Sequence, residues 1–287
     1  ELITATSSIS LSAPNGAVSN ANLSVLTDGG TVTVSQSNDI TVGGGSASFT
    51  LSGTPAFANL TVTSTGGDVI IGADTIAHTL TATAQDDINL GSSSFDVNTN
   101  TGAISLTATT GNVTGDGRLT SATDISLVAT AAGLLNTGNL TVGDSDGDGN
   151  SDTAATLTLT QGSGNLQIGG GTLVIDTSEN VNLVATSTGA NITIQAGTFN
   201  SVTASAANDI LGNGDLVTDS GAINLSTDGS ANPDSDITIA GDLNAANGVI
   251  ITPFEDIIFS DATPTISAGG GDVLLGENQV AENGNIN

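Results

Sequence analysis

ISLTATTGNVTG, Ile104 to Gly115, alternates apolar residues with Ser and Thr, breaks at Gly111-Asn112 and resumes with the apolar Val113. Alternation at period two marks a half-buried strand, because successive side chains of a strand point to opposite faces. Val, Ile and Thr favour strands, while Gly and Asn tolerate the backbone angles of a tight corner. The unit is therefore a short strand, a corner, a second short strand and a variable loop. It returns as LTVTSTGGDVIIG from Leu60, LTATAQDDINLG from Leu80, ISLVATAAGLL from Ile125 and LTLTQGSGNLQIG from Leu157. VNLVATSTGANITI from Val181, VTASAANDILG from Val202 and INLSTDGS from Ile223 continue it. Aligned on Leu60, Leu80, Leu106, Leu127, Leu157, Leu183, Val202 and Leu225, the copies lie 19 to 30 residues apart.

No helical period competes with this pattern. A variable period of that size predicts an all-β chain wound as a parallel β-solenoid, in which each coil contacts only its neighbours. Residues 1–287 then form a single solenoid of roughly 12 coils, about 55–60 Å long at the usual strand spacing. An antiparallel sandwich or barrel of short strands is the competing arrangement. One segment departs from the pattern: VIITPFEDIIFSDATPTI, residues 249–266, is richer in Ile and holds Phe254, Phe259, Pro253 and Pro264. It reads as a coil with a bulkier core, a terminal plug, or a strand handed to a neighbouring subunit.

The sequence carries 29 acidic residues against one basic residue, Arg118, for a net charge of -28, yet only 10% of its residues are charged. The imbalance comes from missing cations more than from abundant anions. Phosphate contacts need Lys and Arg, so nucleic acid is excluded as a partner. Anionic membranes and acidic polysaccharides would be repelled. No run approaches 18 apolar residues, so no membrane span is expected. Cys, Met, Trp and Tyr are absent and six Phe remain, so the core has to be built from Ala, Val, Ile and Leu. The same composition leaves little to oxidise and little for trypsin-like proteases to cut. Both properties suit exposed, long-lived material, extracellular or on a cell surface. The opening ELITATSSIS has neither Met nor a basic region, and reads as mature or excised material.

The iterated ISLTATTGNVTG and VNLVATSTGANITI units resemble the L-x-A-x-x-G-x-I repeats of the filamentous-haemagglutinin-like repetitive adhesins of bacteria. The resemblance implies a right-handed β-helix at a bacterial cell surface. APNGAVSN, Ala13 to Asn20, resembles faintly one motif of the N-terminal secretion domain that exported members of that family usually carry, and a Pro-Asn-Gly turn is the better reading.

The ends suggest a partner. Written head to tail, GNIN (Gly284–Asn287) and ELITATSSISLS match GNVTGDGRLTSATDISLV (Gly111–Val128) at most apolar, Thr and Ser positions, apart from a three-residue insertion. Self-association head to tail is one explanation, and a segment of a longer repeat chain is the other. Unpaired sheet edges recruit partners, and heterologous stacking propagates. A chance match in a low-diversity sequence is the competing reading.

The densest candidate for chemistry is GDSDGDGNSD, Gly143 to Asp152. Asp144, Asp146 and Asp148 have the spacing at which carboxylates of a tight loop converge on a hard cation, and Asp152 follows four residues later. The loop resembles the D-x-D-x-D-G-x-x-D calcium loops of extracellular repeat modules. It departs from an EF-hand in having Ala155 where the bidentate Glu belongs, so a weak, structural calcium site is expected. A solvated acidic turn without an ion is the alternative.

Other polar clusters read as architecture. Asp86-Asp87, echoed by Asn208-Asp209, are expected to cap corners by accepting backbone N–H groups. A glycosidase would need paired carboxylates at a fixed separation, and the missing aromatics argue against a sugar cleft. A lyase would want a cation, for which Arg118 is the only candidate; in TGDGRL it is expected on a loop beside Asp116. His78 is expected to face solvent. The three GGG runs lack the Lys of a phosphate loop and read as corners. The six N-x-S/T sequons, at Asn22, Asn59, Asn112, Asn139, Asn191 and Asn224, are no more than this composition would give. The sequence thus points to a non-enzymatic extracellular rod in a fibre, sheath or surface layer. An adhesin stalk with a cell-surface or matrix partner is second, and a polysaccharide-active enzyme a distant third.

Overall fold

The computed structural model describes residues 2–5, 9–13, 23–27, 31–42, 49–51, 59–72, 75–93, 96–99, 101–131, 133–144, 154–171, 173–175, 180–261, 263–276 and 279–280. Among them there is no helix, and every strand pairing is parallel. The chain is a three-sided β-solenoid, and the antiparallel alternative is thereby excluded. One face is a twelve-stranded sheet with one strand from each rung, from Ile9–Ala13 through Ile104–Ala108, Ile125–Ala129 and Ala155–Gln161 to Val273–Leu275. After a corner the rungs from Thr31–Gln36 onward contribute to a second face, with strands such as Val69–Ile71 and Leu166–Ile168. A third face follows, built from strands such as Asp96–Thr99, Arg118–Ser121 and Leu243–Ala245. Among the described residues about nine turns carry strand on all three faces, somewhat fewer than the roughly 12 coils expected.

The period-two pattern sets which side chains enter the core. On the long face, Leu60, Leu80, Ile104, Ile125, Leu157 and Leu183 stack in register from rung to rung and are at most 1% exposed. Two residues further along each strand runs Val62, Ala82, Leu106, Leu127, Leu159, Ala185, a file in which three Leu are flanked by smaller side chains. Burying each Leu or Ile contributes about 1.5–3 kcal/mol, so a narrow interior of aliphatics suffices without aromatics. Among the described residues the exceptions are Phe199 and Phe259, both buried. Phe259 lies in the rung built from residues 249–268, whose strands Val249–Thr252, Ile257–Phe259 and Ile266–Ala268 occupy the three faces.

The register differs from the sequence alignment at three steps. Leu80 stands over Ile104, Ile125 over Leu157 and Val202 over Ile223, each two residues from the partner expected. The junction residues 284–287 and residue 1 lie outside the described residues. So do residues 14–20 and Asn22.

Candidate functional site: acidic corners and the Asp144 loop

Each rung turns from the long face to the second face at a corner, where the regular ladder is interrupted. Backbone N–H groups there need acceptors, and the sequence supplies them as Asp and Asn. The N–H of Asp68 donates to Asp39 Oδ1 (3.0 Å), that of Asp87 to Asp68 Oδ1 (2.9 Å) and that of Asn112 to Asp87 Oδ1 (2.6 Å). Asn112 Oδ1 then accepts from Leu134 N–H at 2.9 Å. A second ladder runs Asn191, Asp209, Asp236, Asp256, each side-chain oxygen accepting the next rung's N–H at 3.1–3.2 Å. Asp215 and Asp242 do the same on another corner, for the N–H groups of Asp242 and Thr265, both at 2.8 Å. Asp87 and Asp209 cap as expected, with one refinement: the N–H they accept belongs to the next rung, so these side chains are clasps between coils. Two carboxylates one rung apart repel by about 1 kcal/mol in water-like surroundings. A hydrogen bond to a charged acceptor contributes about 1.5–3 kcal/mol, so clasping outweighs repulsion.

Repulsion still shows where clasps crowd. Burial pushes Asp236 above the usual carboxylate value, against the hydrogen bond from Asp256, and the neighbouring charges of Asp256, Asp209 and Asp234 add to the rise. Glu255 is raised by desolvation first and then by Asp234, Asp256 and Asp236. Asp228 moves the other way, lowered by hydrogen bonds from the side chain and backbone of Ser230. A raised carboxylate holds its proton better in the folded state, so its contribution is complete below the unfolded value near 3.8 and is lost as pH rises through the folded value. Asp236→Asn keeps the acceptor without the charge. It is expected to raise the melting temperature at neutral pH and to remove part of the gain wild type shows on mild acidification. Melts of both proteins from pH 7 to pH 4, read by circular dichroism, check it; an unchanged pH profile in Asp236→Asn refutes it.

A further file of polar side chains is buried at the strand ends. Gln36, Ser64, Gln161 and Thr227 are each at most 7% exposed. Gln161 Nε2 donates to Ser163 O (2.8 Å) while its Oε1 accepts from Leu135 N–H (2.9 Å). Thr227 bonds Ser235 O and accepts from Phe254 N–H. Sequence reasoning missed these residues; their signal was the polar residue that closes some alternating strands, as in TVTVSQ and ATLTLTQ, where others close on Ala84, Ala108 and Ala129.

Of the four candidate calcium ligands, Asp144 alone is described, and Asp146, Asp148 and Asp152 lie outside the described residues. Asp144 is 3% exposed at the base of the loop, next to Gly143 at φ 79°. Gly143 N–H donates to Ser121 O (2.8 Å) and Thr123 O (3.0 Å), and Asp144 N–H to Ser121 O (3.0 Å). On the return side, Thr156 N–H donates to Asp124 Oδ1 at 2.7 Å. Residues 121–124 of one rung therefore clasp both ends of the insertion. Among the described residues no group of three or more His, Asp or Glu is placed to hold a metal.

Arg118 departs from expectation. It opens the strand Arg118–Ser121 and stands over Asp96, its Nε 3.9 Å from Asp96 Oδ1, not beside Asp116 on a loop. In-register stacking brings residues one rung apart within reach, whereas Asp116 precedes the strand. Both side chains are at least half exposed, so the pair contributes at most about 1 kcal/mol. His78 sits at the corner after Thr75–Ala77, half-buried, with its Nδ1 hydrogen-bonded to Thr101 Oγ1. A cavity of about 200 Å³ is lined by Ile168, Val174, Ile175, Gln195, Ala196, Phe199 and three glycines, and has no carboxylate in its wall. Among the described residues no helix is long and apolar enough to cross a membrane.

The arrangement defines a β-solenoid repeat protein. Comparison with protein-family models, with curated proteins and with solved structures finds no match for the chain. Of what the resemblance to the filamentous-haemagglutinin-like adhesins implied, the structure shows the parallel β-solenoid fold alone.

Proposed function

We propose that the chain is a non-enzymatic structural rod of the cell exterior, part of a fibre, sheath or surface layer of filamentous-haemagglutinin-like character. The observation that carries this reading is the twelve-strand parallel ladder, continued at the corners by side-chain clasps from rung to rung. Such a ladder resists extension and bending, which is a mechanical task. The strand Val273–Leu275 leaves Val273 and Leu274 exposed at the last rung of the long face, an edge on which a further rung, from this chain or another copy, would pair. Calcium held by Asp144, Asp146, Asp148 and Asp152 would staple the longest insertion. A second reading, an adhesin stalk with a cell-surface partner, draws support from Phe254, 56% exposed on the rung that also leaves Ile250 exposed.

Electron microscopy in calcium and then in chelator tests the first reading. Long uniform filaments support stacking of copies, and discrete short rods refute it for this chain. The calcium site has its own test. Calcium is expected to raise the melting temperature progressively as it passes the millimolar range, because an ion that binds only the folded state adds about 0.4 kcal/mol at its Kd and about 2.7 kcal/mol at a hundred times it. Asp146→Asn with Asp148→Asn should abolish the shift. A wild-type melt indifferent to calcium would overturn it.

A further inference from the structure

The outward side of the twelve-strand face carries two straight ranks of small hydroxyl side chains. One runs through Thr33, Thr61, Thr81, Ser105, Ser126 and Thr158, each in register with the next. The other lies two residues along, from Ser35 through Thr63, Thr83 and Thr107 to Thr160, and is broken only by Val128, which is close to Thr in shape. These pairings carry no register shift, unlike the irregularity between Gln195 and Gly197 on another face. The oxygens therefore form a nearly rectangular net, about 4.8 Å along the rod and about 6.7 Å across it.

Three further observations mark this net as more than strand preference. The twelve strands of the face contain no Asp, Glu, Arg, Lys or His, in a chain with 29 acidic residues. Thr61, Thr63, Thr81, Thr83 and Thr107 make no side-chain hydrogen bond to another described residue, so their hydroxyls are left for solvent. Other faces of the same solenoid lack such a rank: the outward file of the second face reads Thr41, Ile70, Asn89, Thr114, Asn136. The same chain, with the same composition, keeps the hydroxyl net to one side.

We propose that this face binds ice. Each Thr presents one hydroxyl, able to donate and accept, and one methyl, on a side chain with a stiff χ1. The rung spacing is close to the separation of second-neighbour oxygens in hexagonal ice. Each contact exchanges one water for another and gains little by itself. On a crystal the same contact repeats in phase from rung to rung, so the weak gains add within one rigid body. Liquid water offers no such repeat, and an uncharged net has no charge to hold a disordered hydration shell. The twelve strands of this face contain no aromatic ring on which a crystalline polysaccharide would stack.

The test follows single ice crystals in the purified full chain by nanolitre osmometry, together with an assay of ice recrystallisation. Wild type is expected to facet the crystals and to stop their growth below the melting point. Thr83→Lys combined with Thr107→Lys, on the face, should lose both effects with an unchanged circular-dichroism melt, and Thr114→Lys, on the second face, should keep them. Unfaceted discs growing freely in wild type would overturn the proposal, as would full activity in the double variant. A wild-type dimer that the double variant converts to monomer in sedimentation velocity, without any effect on ice, would assign the face to self-pairing and also overturn it.

Discussion

A Leu127→Asp chain is expected to lose the single cooperative melt of the wild-type protein. Leu127 is fully buried, with Leu106 on the rung below and Leu159 on the rung above. Truncation to Ala alone would cost about 2–5 kcal/mol. The carboxylate adds the cost of an ionised group with no partner in an aliphatic interior, several kcal/mol more or a proton taken up to avoid it. Whole domains are stable by only about 5–15 kcal/mol. Because a solenoid is held by nearest-neighbour interfaces, damage in a central rung separates the rungs on either side. The loss therefore appears as a vanished or divided transition by circular dichroism, and as new cleavage by a protease of broad specificity. The neighbouring residue is the control. Val128 points outward and is half-exposed, so Val128→Asp should shift stability by no more than about 0.5 kcal/mol. Equal effects at the two positions would refute the inward and outward assignment of the whole face.

That assignment was legible in the sequence because period two is a strong signal, repeated in every coil. Register was less so, for a physical reason. A slip of one residue would turn every apolar side chain to solvent, but a slip of two leaves the pattern unchanged. Leu106 and Ile104 are both buried and both aliphatic, so choosing between them as the partner of Leu80 needs information from outside the strand. The corner clasps carry it: once Asp87 holds the N–H of Asn112, the strand leading into that corner is fixed with Ile104 over Leu80. Asp87 could be read as a cap from its own surroundings, whereas its partner one rung away could not. The exposed Thr and Ser ranks lay beside the aligned apolar residues throughout. They are ordinary one strand at a time, and become a surface only when the rungs are placed in register. Arg118 shows the same limit, since Asp96 lies 22 residues earlier and enters its neighbourhood through stacking alone.

The corners that set the register also fix how closely the backbone approaches itself, and Gly162→Val is expected to be nearly as damaging as a core substitution. A Cβ on Gly162 would lie 2.1 Å from the carbonyl oxygen of Ala131, 2.8 Å from its carbon and 2.9 Å from its nitrogen. All three are backbone atoms of the rung below, so no side chain can swing aside. Ala131 already sits at φ 52°, a conformation with little room for adjustment. Relief would have to come from separating the rungs, which stretches the bond from Gly162 N–H to Ala129 O, now 2.8 Å. Overpacking typically costs about 1–3 kcal/mol when side chains can give, and this contact belongs at or above that range. At about 2–4 °C per kcal/mol for a chain of a few hundred residues, the melting temperature should fall by on the order of 10 °C. Gly171 separates steric crowding from backbone preference. It has a φ of 95°, and no atom lies within 4 Å of the place a methyl group would take there. Gly171→Ala should therefore cost only the strain of a left-handed residue, about 1–2 kcal/mol. If Gly162→Val melts with or above Gly171→Ala, the rungs do not approach at that corner as described, and the stacking of the 155–161 strand on the 125–129 strand is misplaced.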